Sequence, residues 1–457
     1  MSKRQDEYRI KNWKSKAIKR GKENAYLKGR IKELTASRDN WKSKCQVLKS
    51  SGSLKQKSSR KAKGHHYNLC LVVFMLELYK YGSMSLRSCR HTIACLSICF
   101  GLEEKLPCHN SIRNWLCKCG TYRMKHVEQG GEYVIYVDES ISFGSEKILL
   151  VLGINTQEIP MNRSLRHGDV DVLGLEVGKE WKGEQVAEVL NKAALGKTIQ
   201  YVVSDEGNNL KRAYNLLNYN HIEDCTHVFA NHLKRLYASD EDFQAFSKLI
   251  GKLRQKWNLS KDNSQYMPPS MRGKMRFANI FPTVNWAKKM LDNWEELASE
   301  VQQQITFLRL KEDFITGLVQ VDKIFKTTCK ALKTHGFGKL QKKNLEDKLV
   351  EIQTKTWNGL KPKAAIFMKN VKSYLGNLEV KSKGMNEDFL LCSSDIIESY
   401  FGKFKTKINP NSRSGLTEFI FTIATFGASF SIDDAQNALE SIKCKELTLA
   451  KNKARAA

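Results

Sequence analysis

The alternation of apolar and polar positions predicts an α/β core at residues 129–237. Residues 133–137 are all β-branched or aromatic, with no Gly or Pro, which predicts a buried strand. Residues 198–204 form a similar apolar run. The first run leads into Asp138 and the second into Asp205. Because open α/β sheets place their chemistry at the carboxyl ends of strands, we expect both carboxylates to be functional.

The other segments of this core predict the order β-β-β-α-β-α-β. A second strand is predicted at 147–154 and a polar edge strand at 157–166, where Pro160 is tolerated. The remaining predicted elements are helices at 183–194 and 208–217 and a short strand at 225–230. If the first and fourth strands are parallel neighbours, the sheet is mixed and five-stranded, and the two acids meet. This is the ribonuclease H-like arrangement.

The segment 238–385 is rich in helical patterns and poor in strand patterns, which predicts a large all-helical insertion. The predicted helices span 240–257, 284–310, 313–333 and 345–357, and the tryptophans expected in their core are Trp257, Trp286, Trp294 and Trp357. The last segment, 386–457, starts with SSDIIESYFGKFK, which predicts a helix carrying Glu398. We expect this segment to complete the α/β core.

The first 64 residues predict a basic helical arm followed by a flexible linker. Nine of the twelve a and d positions of a single heptad register are apolar or small; the twelve are Ile10, Trp13, Ala17, Arg20, Asn24, Leu27, Ile31, Leu34, Arg38, Trp41, Cys45 and Leu48. The arm and linker carry 21 Lys or Arg against 5 Asp or Glu. Two interpretations stay open, a coiled coil and a basic helix that orders only on DNA.

Residues 65–128 predict a compact all-helical domain. Two helices, a Gly-containing turn and a shorter helix closed by Gly120 are typical of a helix-turn-helix. In that arrangement Arg113, Asn114 and Lys118 would be free to contact base edges and phosphates of DNA.

Composition limits the class of partner and the compartment. With 76 Lys or Arg against 48 Asp or Glu, the net charge is +28, which favours nucleic acid first and an anionic membrane surface second. No apolar run reaches the roughly 18 residues of a membrane span, and the first ten residues lack the apolar core of a signal peptide. We expect a cytoplasmic, nucleoid-associated protein without membrane partners, whose twelve cysteines are reduced. Seven of them lie in 65–128, where zinc stays open but the lack of a Cys-x-x-Cys pair favours buried thiols.

Four motifs together resemble the DDE transposases of bacterial insertion sequences. They are YVDES with Asp138, VVSDEGNNL with Asp205, DCTHVFANHLKRLY with Asp224 and His227, and SSDIIESYFGKFK with Glu398. The Asp224-Cys-Thr-His227 piece is similar to the C/D-x-x-H motif of the hAT and Mutator groups. Lys405 follows Glu398 by seven residues, where related enzymes often carry Lys or Arg. Some family members also have an insertion before the third acid.

The resemblance implies a ribonuclease H-like enzyme that cleaves DNA strands and joins a freed 3′-hydroxyl to target DNA. Asp138, Asp205 and Glu398 would hold two Mg²⁺ or Mn²⁺ ions, which prefer oxygen ligands. Asp224, His227 and Lys405 would lie beside them as auxiliary residues. The implied partners are double-stranded DNA, at element ends and target, and further copies of the chain in a homodimer or larger assembly.

Several alternatives stay open. Asp395 lies one helical turn before Glu398, and we choose Glu398 because Asp395 suits the positive end of the helix dipole. A ribonuclease H-like nuclease without strand transfer would share the three acids. A domesticated, non-catalytic DNA-binding protein would not need them.

Overall fold

The structure is a computed structural model of the 457-residue chain. It describes residues 60–82, 84–100, 105–140, 143–260, 263–270, 279–354, 359–385, 387–408, 416–447 and 451–452, and helical stretches between 20 and 42. The chain divides into two compact units, residues 1–71 and residues 72–457.

Six of the twelve heptad positions are described, and all six are helical and exposed: Arg20, Asn24, Leu27, Ile31, Leu34 and Arg38. The other six lie outside the described residues, as does most of the predicted linker. The helix prediction is confirmed at the described positions. The choice between a coiled coil and a helix ordered by DNA stays a prediction.

The larger unit is built on a mixed β-sheet. Its five main strands are β1 Glu132–Glu139, β2 Lys147–Asn155, β3 Asp171–Gly178, β4 Thr198–Ser204 and β5 His221–Glu223. They lie side by side in the order β5-β4-β1-β2-β3, and a two-residue strand, Lys451–Asn452, pairs with the outer edge of β3. β1 is antiparallel to β2 and parallel to β4, β2 is antiparallel to β3, and β4 is parallel to β5.

From residue 60 onward the α-helices of the described residues are, in chain order: α1 Leu69–Tyr81, α2 Leu86–Phe100, α3 His109–Lys125, α4 Gly183–Ala193, α5 Asn208–Leu217, α6 Cys225–Tyr237, α7 Glu241–Ser260, α8 Phe281–Asp292, α9 Ser299–Ile305, α10 Phe307–Leu310, α11 Glu312–His335, α12 Lys339–Thr354, α13 Pro362–Met385, α14 Asp395–Lys407 and α15 Ile432–Ser441. The predicted order of the α/β core and its mixed five-stranded sheet are confirmed. Two of its strands lie at other positions than predicted.

The third strand was predicted at 157–166, and this prediction is wrong. Those residues form a short 3₁₀ turn and a loop, and β3 follows them. The period-two pattern of β3 is hidden because Gly174 interrupts its apolar residues. A Cβ on Gly174 would lie 3.3 Å from the side chain of Val151, its paired residue on β2, so the glycine avoids a tight contact between the two strands.

The fifth strand was predicted at 225–230, and this prediction is also wrong, because the segment begins α6. Buried residues recur there at every fourth position, which is a helical spacing; they are Cys225, Phe229, Leu233 and Tyr237. The Asp224 carboxylate accepts a hydrogen bond from the His227 backbone N–H and so caps the helix.

The third helix of the predicted helix-turn-helix is a core element. α3 runs past Gly120 to Lys125, and it packs against β3, α15 and the 3₁₀ helix Glu418–Phe426. A Cβ on Gly120 would lie 1.9 Å from the Phe421 carbonyl oxygen, so this glycine allows a close approach and does not end the helix. Residues 72–125 therefore belong to the same compact unit as the sheet.

The insertion is helical, with two differences from the prediction. The predicted helix at 284–310 is broken after Asp292 into a 3₁₀ turn and two short helices, α9 and α10. A two-residue antiparallel pair, Phe337–Gly338 with Phe389–Leu390, joins its end to the segment before α14. Trp257 and Trp294 are buried, whereas Trp357 lies outside the described residues.

Trp286 packs edge-on against Trp257, with ring centroids 6.5 Å apart. Its indole N–H donates to the Tyr266 carbonyl oxygen at 2.9 Å. These contacts confirm that Trp286 belongs to the core of the insertion.

All eleven cysteines among the described residues are free thiols. Of those in 65–128, Cys89, Cys117 and Cys119 are buried, whereas Cys95 and two others are exposed. Burial raises the pKa of the Cys117 and Cys119 thiols to about 12. No helix of the described residues is both long enough and apolar enough to cross a membrane.

Substituting Gly120 tests the packing of α3. Gly120→Ala should lower the free energy of unfolding by about 2–3 kcal/mol, because its Cβ would overlap the Phe421 carbonyl and force backbone shifts. Gly376→Ala in α13 is the matched control, since no atom lies within 4 Å of its Cβ position. It should raise stability by about 0.5–1 kcal/mol. Urea unfolding measures the free energy of unfolding of both variants. Equal changes in the two would contradict the close approach of Gly120 to the Phe421 carbonyl.

Candidate active site

The register of the parallel strands places Asp138 and Asp205 at the same level of the sheet. Tyr136 in β1 pairs with Val203 in β4, and each acid lies two residues beyond its paired residue. β5 extends the same edge, because Ser204 pairs with Glu223 and Asp224 follows directly. Three adjacent parallel strands therefore end in acids at one edge of the sheet.

The alternation of side chains decides which face these acids use. In β1, Tyr133, Ile135 and Val137 pack under α4 and α5 on one face of the sheet. Asp138 therefore faces the other side, as Tyr136 does. On that side the Leu391 backbone N–H donates to the Tyr201 hydroxyl at 2.9 Å, which holds the segment before α14 against β4.

Helix α14 brings Glu398 to this edge. Its buried residues form an apolar stripe that faces the sheet; they are Ile396, Ile397, Tyr400, Phe401 and Phe404. Glu398 lies outside the stripe, and its Oε1 is 3.8 Å from Nε2 of His227. Asp395, the alternative third acid, instead pairs with Lys333 of α11 at 2.6 Å.

The buried carboxylate of Asp224 connects α6 to the start of α14. One oxygen accepts from the His227 backbone N–H at 2.8 Å and lies 3.1 Å from His227 Nδ1. The other accepts from the backbone N–H and hydroxyl of Ser394, at 2.7 and 3.1 Å. Asp224 thus positions both His227 and the helix that carries Glu398.

The acids next to the candidate ligands have basic or amide partners, whereas the candidate ligands have no lysine or arginine partner among the described residues. Glu139 pairs with Lys147 at 3.1 Å. Glu206 accepts from Lys211 at 3.1 Å and from Asn231 at 3.0 Å. No lysine or arginine of the described residues forms such an ion pair with the three candidate acids, which are Asp138, Asp205 and Glu398.

The three acids are close enough to influence one another electrostatically. Partial burial, with repulsion from Asp205 and Glu398, raises the pKa of Asp138 to about 7, against a hydrogen bond from the Glu139 backbone N–H that lowers it. The hydrogen bond to Asp224 raises the pKa of His227 to about 9, with smaller contributions from Glu398 and Asp205. A protonated His227 therefore places a positive charge beside Glu398.

The donor set fits a hard divalent cation, because it offers carboxylate oxygens without a lysine or arginine partner. Across the part of the chain that the structure describes, however, no three His, Cys, Asp or Glu side chains are arranged closely enough to hold a metal ion. Like charges repel without a cation between them, and Glu398 is turned toward His227. Binding of a metal would therefore have to draw Glu398 toward the two aspartates.

The predicted auxiliary and DNA-contacting residues have different outcomes. Lys405 is half-buried in the last turn of α14. Lys118 is buried, and its ammonium donates to the Leu439 carbonyl oxygen at 3.0 Å, so in this structure it is not exposed to DNA. Arg113 pairs with Glu418 at 3.2 Å, and Asn114 beside it is half-buried. For Arg113 and Asn114, DNA contact stays a prediction.

Sequence reasoning missed two residues of this site. Ser394 is not among the predicted site residues, yet its hydroxyl makes no capping bond to α14 and donates to Asp224 instead. Lys333, which pairs with Asp395, lies 62 positions earlier along the chain. The only local signal was the polar Ser-Ser-Asp run before α14, which could not identify a partner on a distant helix.

Compared with known proteins, the chain matches no family model and no curated sequence.

Replacing Asp138 by the neutral Asn should stabilise the metal-free protein at high pH. Because the pKa of Asp138 is raised to about 7, its contribution to stability is present below pH 4 and lost as pH rises through 7. We expect Asp138→Asn to match the wild type near pH 4 and to exceed it at pH 8, by on the order of 2 kcal/mol. Urea unfolding at both pH values measures this, and Mg²⁺ should then stabilise only the wild type. If the stability difference between Asp138→Asn and the wild type were the same at pH 4 and pH 8, the raised pKa of Asp138 would be contradicted.

Replacing Asp224 should change the titration of His227. Since the pKa of His227 is raised, its stabilising contribution is present below about pH 6.5 and lost as pH rises through about 9. In Asp224→Asn the pKa of His227 should fall toward its ordinary value, as measured by NMR of the imidazole protons. Asp240→Asn is the matched control, because Asp240 accepts from the Phe243 backbone N–H at the start of α7. If both substitutions changed the pKa of His227 equally, the pairing of His227 with Asp224 would be contradicted.

Proposed function

We propose that this protein is a metal-dependent enzyme that cleaves DNA strands and transfers a 3′-hydroxyl end to target DNA, as a DDE transposase does. The observation that carries this proposal is that Asp138 and Asp205 lie at one edge of the sheet, with Glu398 on the helix that packs beside β1, and that none of the three pairs with a lysine or arginine of the described residues, in a protein of net charge +28. Acids that are left uncompensated in a strongly basic protein need a functional reason.

The topology supports the same proposal. A sheet in which β1 is antiparallel to β2 and parallel to β4, in the order β5-β4-β1-β2-β3, is compatible with the ribonuclease H-like arrangement. Folds host many activities, so the argument depends on the site and the fold only agrees with it.

Asp138, Asp205 and Glu398 would hold the Mg²⁺ or Mn²⁺ ions. When bound, two such ions activate an attacking oxygen and stabilise the leaving oxygen in phosphodiester chemistry. The strand register puts the backbone of Asp138 and Asp205 at the same level of the sheet. Glu398 is on a helix held by Asp224 through Ser394, which is a positioning contact.

His227 has two contacts that suit an auxiliary role. Its Nδ1 faces Asp224, and its Nε2 faces Glu398. In the free protein a protonated His227 offsets part of the charge of the Glu398 carboxylate. When a cation binds, His227 is left beside the site as a positive group that would attract a DNA phosphate.

A nuclease without strand transfer is the second candidate. It is favoured by the burial of α3, because the helix expected to read DNA sequence packs in the core of the larger unit. A transposase needs a separate element that recognises its DNA ends. The basic arm at 1–64 is the remaining candidate for this role, and homodimer formation and a nucleoid-associated location stay expectations.

The proposal is tested by incubating the purified protein with its flanking DNA, a supercoiled target and Mg²⁺ or Mn²⁺, and mapping cut and joined ends. Asp138→Ala, Asp205→Ala and Glu398→Gln should each slow cleavage by at least about 100-fold, because each removes a group that organises charge in the transition state. DNA binding without metal should persist in all three.

Matched controls use the acids that have lysine partners. Glu139→Gln and Asp395→Asn lie next to or one turn from the candidate acids, and both should keep most of the activity. Cleavage without joined products would favour the nuclease. Cleavage that survives Asp138→Ala, or is lost equally in the controls, would reject the assigned site.

A further inference from the structure

A groove of about 370 Å³ lies between α6 and α13, beside the outer strand β5. Phe229 of α6 packs edge-on against Tyr374 of α13, with ring centroids 5.2 Å apart, and so joins the two helices. Polar side chains from four parts of the chain line the groove; they are Glu206 after β4, Glu223 in β5, His232 on α6, and Asn370, Ser373 and Asn377 on α13. We call it the α6–α13 groove.

The groove is adjacent to the candidate active site. Glu206 follows Asp205 directly along the chain. On α6, the side chain of His227 faces Glu398, whereas the next residue, Val228, lines the groove. A ligand in the groove would therefore lie next to the candidate acids without occupying their site.

The charged groups that line the groove already have partners. Glu223 pairs with Lys381 at 2.6 Å. Glu206 accepts hydrogen bonds from Lys211 and Asn231. Because the lining lysine is paired with a carboxylate, a small inorganic anion would find no unpaired lysine among the described residues of the groove.

The free edge of β5 is also occupied. The Lys381 ammonium donates to the His221 carbonyl oxygen, and the Tyr374 hydroxyl donates to the Glu223 carbonyl oxygen, both at 2.8 Å. An extended peptide adds to a sheet through such main-chain groups. These two bonds therefore oppose the addition of a peptide strand.

Four neutral side chains of the groove are not committed in this way. The side chains of His232, Asn370, Ser373 and Asn377 form no hydrogen bond with another described residue. Burial, with repulsion from Arg235, lowers the pKa of His232, and its neutral imidazole has one donor and one acceptor. The amides and the hydroxyl also offer both donors and acceptors, and their spacing of three and four residues places them on one face of α13.

Exposed cations border these neutral groups. Lys369 and Lys372 are next to Asn370 and Ser373 in the sequence, and Arg235 lies one turn after the α6 histidine. All three cations are exposed, and none forms an ion pair with a described residue. Neutral donors and acceptors between reachable cations match the base edges of a nucleic-acid strand and the phosphates that flank them.

We propose that the α6–α13 groove binds unpaired bases of a single DNA strand. Asn370 and Asn377 hydrogen-bond to base edges, each through one donor and one acceptor. Lys369, Lys372 and Arg235 contact the flanking phosphates. A cavity of this volume is the size of a site for one small organic ligand, so it takes about one or two nucleotides and does not admit a duplex. This inference rests on the proposed function in taking DNA as the nucleic acid, and it adds that the strand is unpaired beside the candidate active site.

The test measures DNA binding by the full chain without divalent metal. Fluorescence anisotropy gives the Kd for a labelled single strand and for the duplex of the same sequence. Asn370→Ala and Asn377→Ala should each weaken single-strand binding about 10-fold, because a two-bond contact with a base is lost. Duplex binding depends mostly on phosphate contacts and should stay within about 2-fold. Equal losses for the single strand and the duplex would mean that α13 reads a duplex, and the proposal would fall.

Salt dependence separates the amides from the lysines. The asparagine variants should leave the slope of log K against log salt unchanged, because no charge is removed. Lys372→Gln should reduce this slope by about 0.7 for a single strand, because one phosphate contact is lost. Lys248→Gln on α7 is the matched control, since Lys248 is exposed and has no ion pair among the described residues. Equal slopes in the two lysine variants would contradict the phosphate contacts.

An abasic oligonucleotide isolates the contact with bases. It keeps the phosphates but lacks base edges, so Asn370→Ala and Asn377→Ala should bind it as the wild type does. If they lose as much affinity for it as for the ordinary strand, the asparagines do not contact bases and the proposal is wrong. Asn437→Ala on α15 is the matched control, because Asn437 is exposed and its side chain has no hydrogen bond with a described residue. It should bind both strands as the wild type does.

Stability separates a binding role from a structural one. Both groove variants should keep the melting temperature, because the asparagine side chains have no hydrogen-bonding partner in the described chain. If Asn370→Ala lowers the melting temperature while Asn377→Ala binds a single strand normally, the groove is structural and the proposal is overturned.

The outcome is independent of catalysis. If the protein binds a single strand through the groove but never cuts DNA, the proposed enzyme fails and the groove stands. If it cuts DNA at the assigned acids while the groove variants bind normally, only this inference fails.

Discussion

The structure depends most on the parallel register of β1 and β4. Pairing of Tyr136 with Val203 puts the backbone positions of Asp138 and Asp205 at one level of the sheet. The pKa of Asp138 rises to about 7, first because of its burial and then because of Asp205. The ionised Asp138 therefore destabilises the metal-free folded protein. The charge of a bound divalent cation would relieve this repulsion.

The two ends of the insertion lie side by side, and this brings the helix that carries the third acid to this edge. The chain leaves the sheet at α6, passes through the insertion and returns next to its starting point, where the Cys225 backbone N–H donates to the Cys392 carbonyl oxygen at 2.9 Å. The Asp224 carboxylate then holds both helix starts, by accepting from His227 and Ser394. A separation of 193 residues between Asp205 and Glu398 is thus no obstacle to a rigid site.

Charge pairing sorts the many acids and lysines of the molecule into structural and unsatisfied groups. Acids beside the site, such as Glu139 and Asp395, have lysine partners, whereas Asp138 and Glu398 do not. Among the lysines, Lys407 is bonded to backbone carbonyl oxygens, whereas Lys80 has no hydrogen-bonding partner in the described chain.

Local pattern determined β1, β4 and the acids that follow them, because residue type and period-two alternation are properties of a short segment. The start of α6 was also encoded locally, in buried residues four apart from Cys225 to Tyr237, although the apolar run predicted a strand. Only the tertiary structure decided that Lys118 is buried in the core and that Ser394 binds Asp224. The reason is physical: an amphipathic helix specifies that one face is covered, but its sequence does not specify by what.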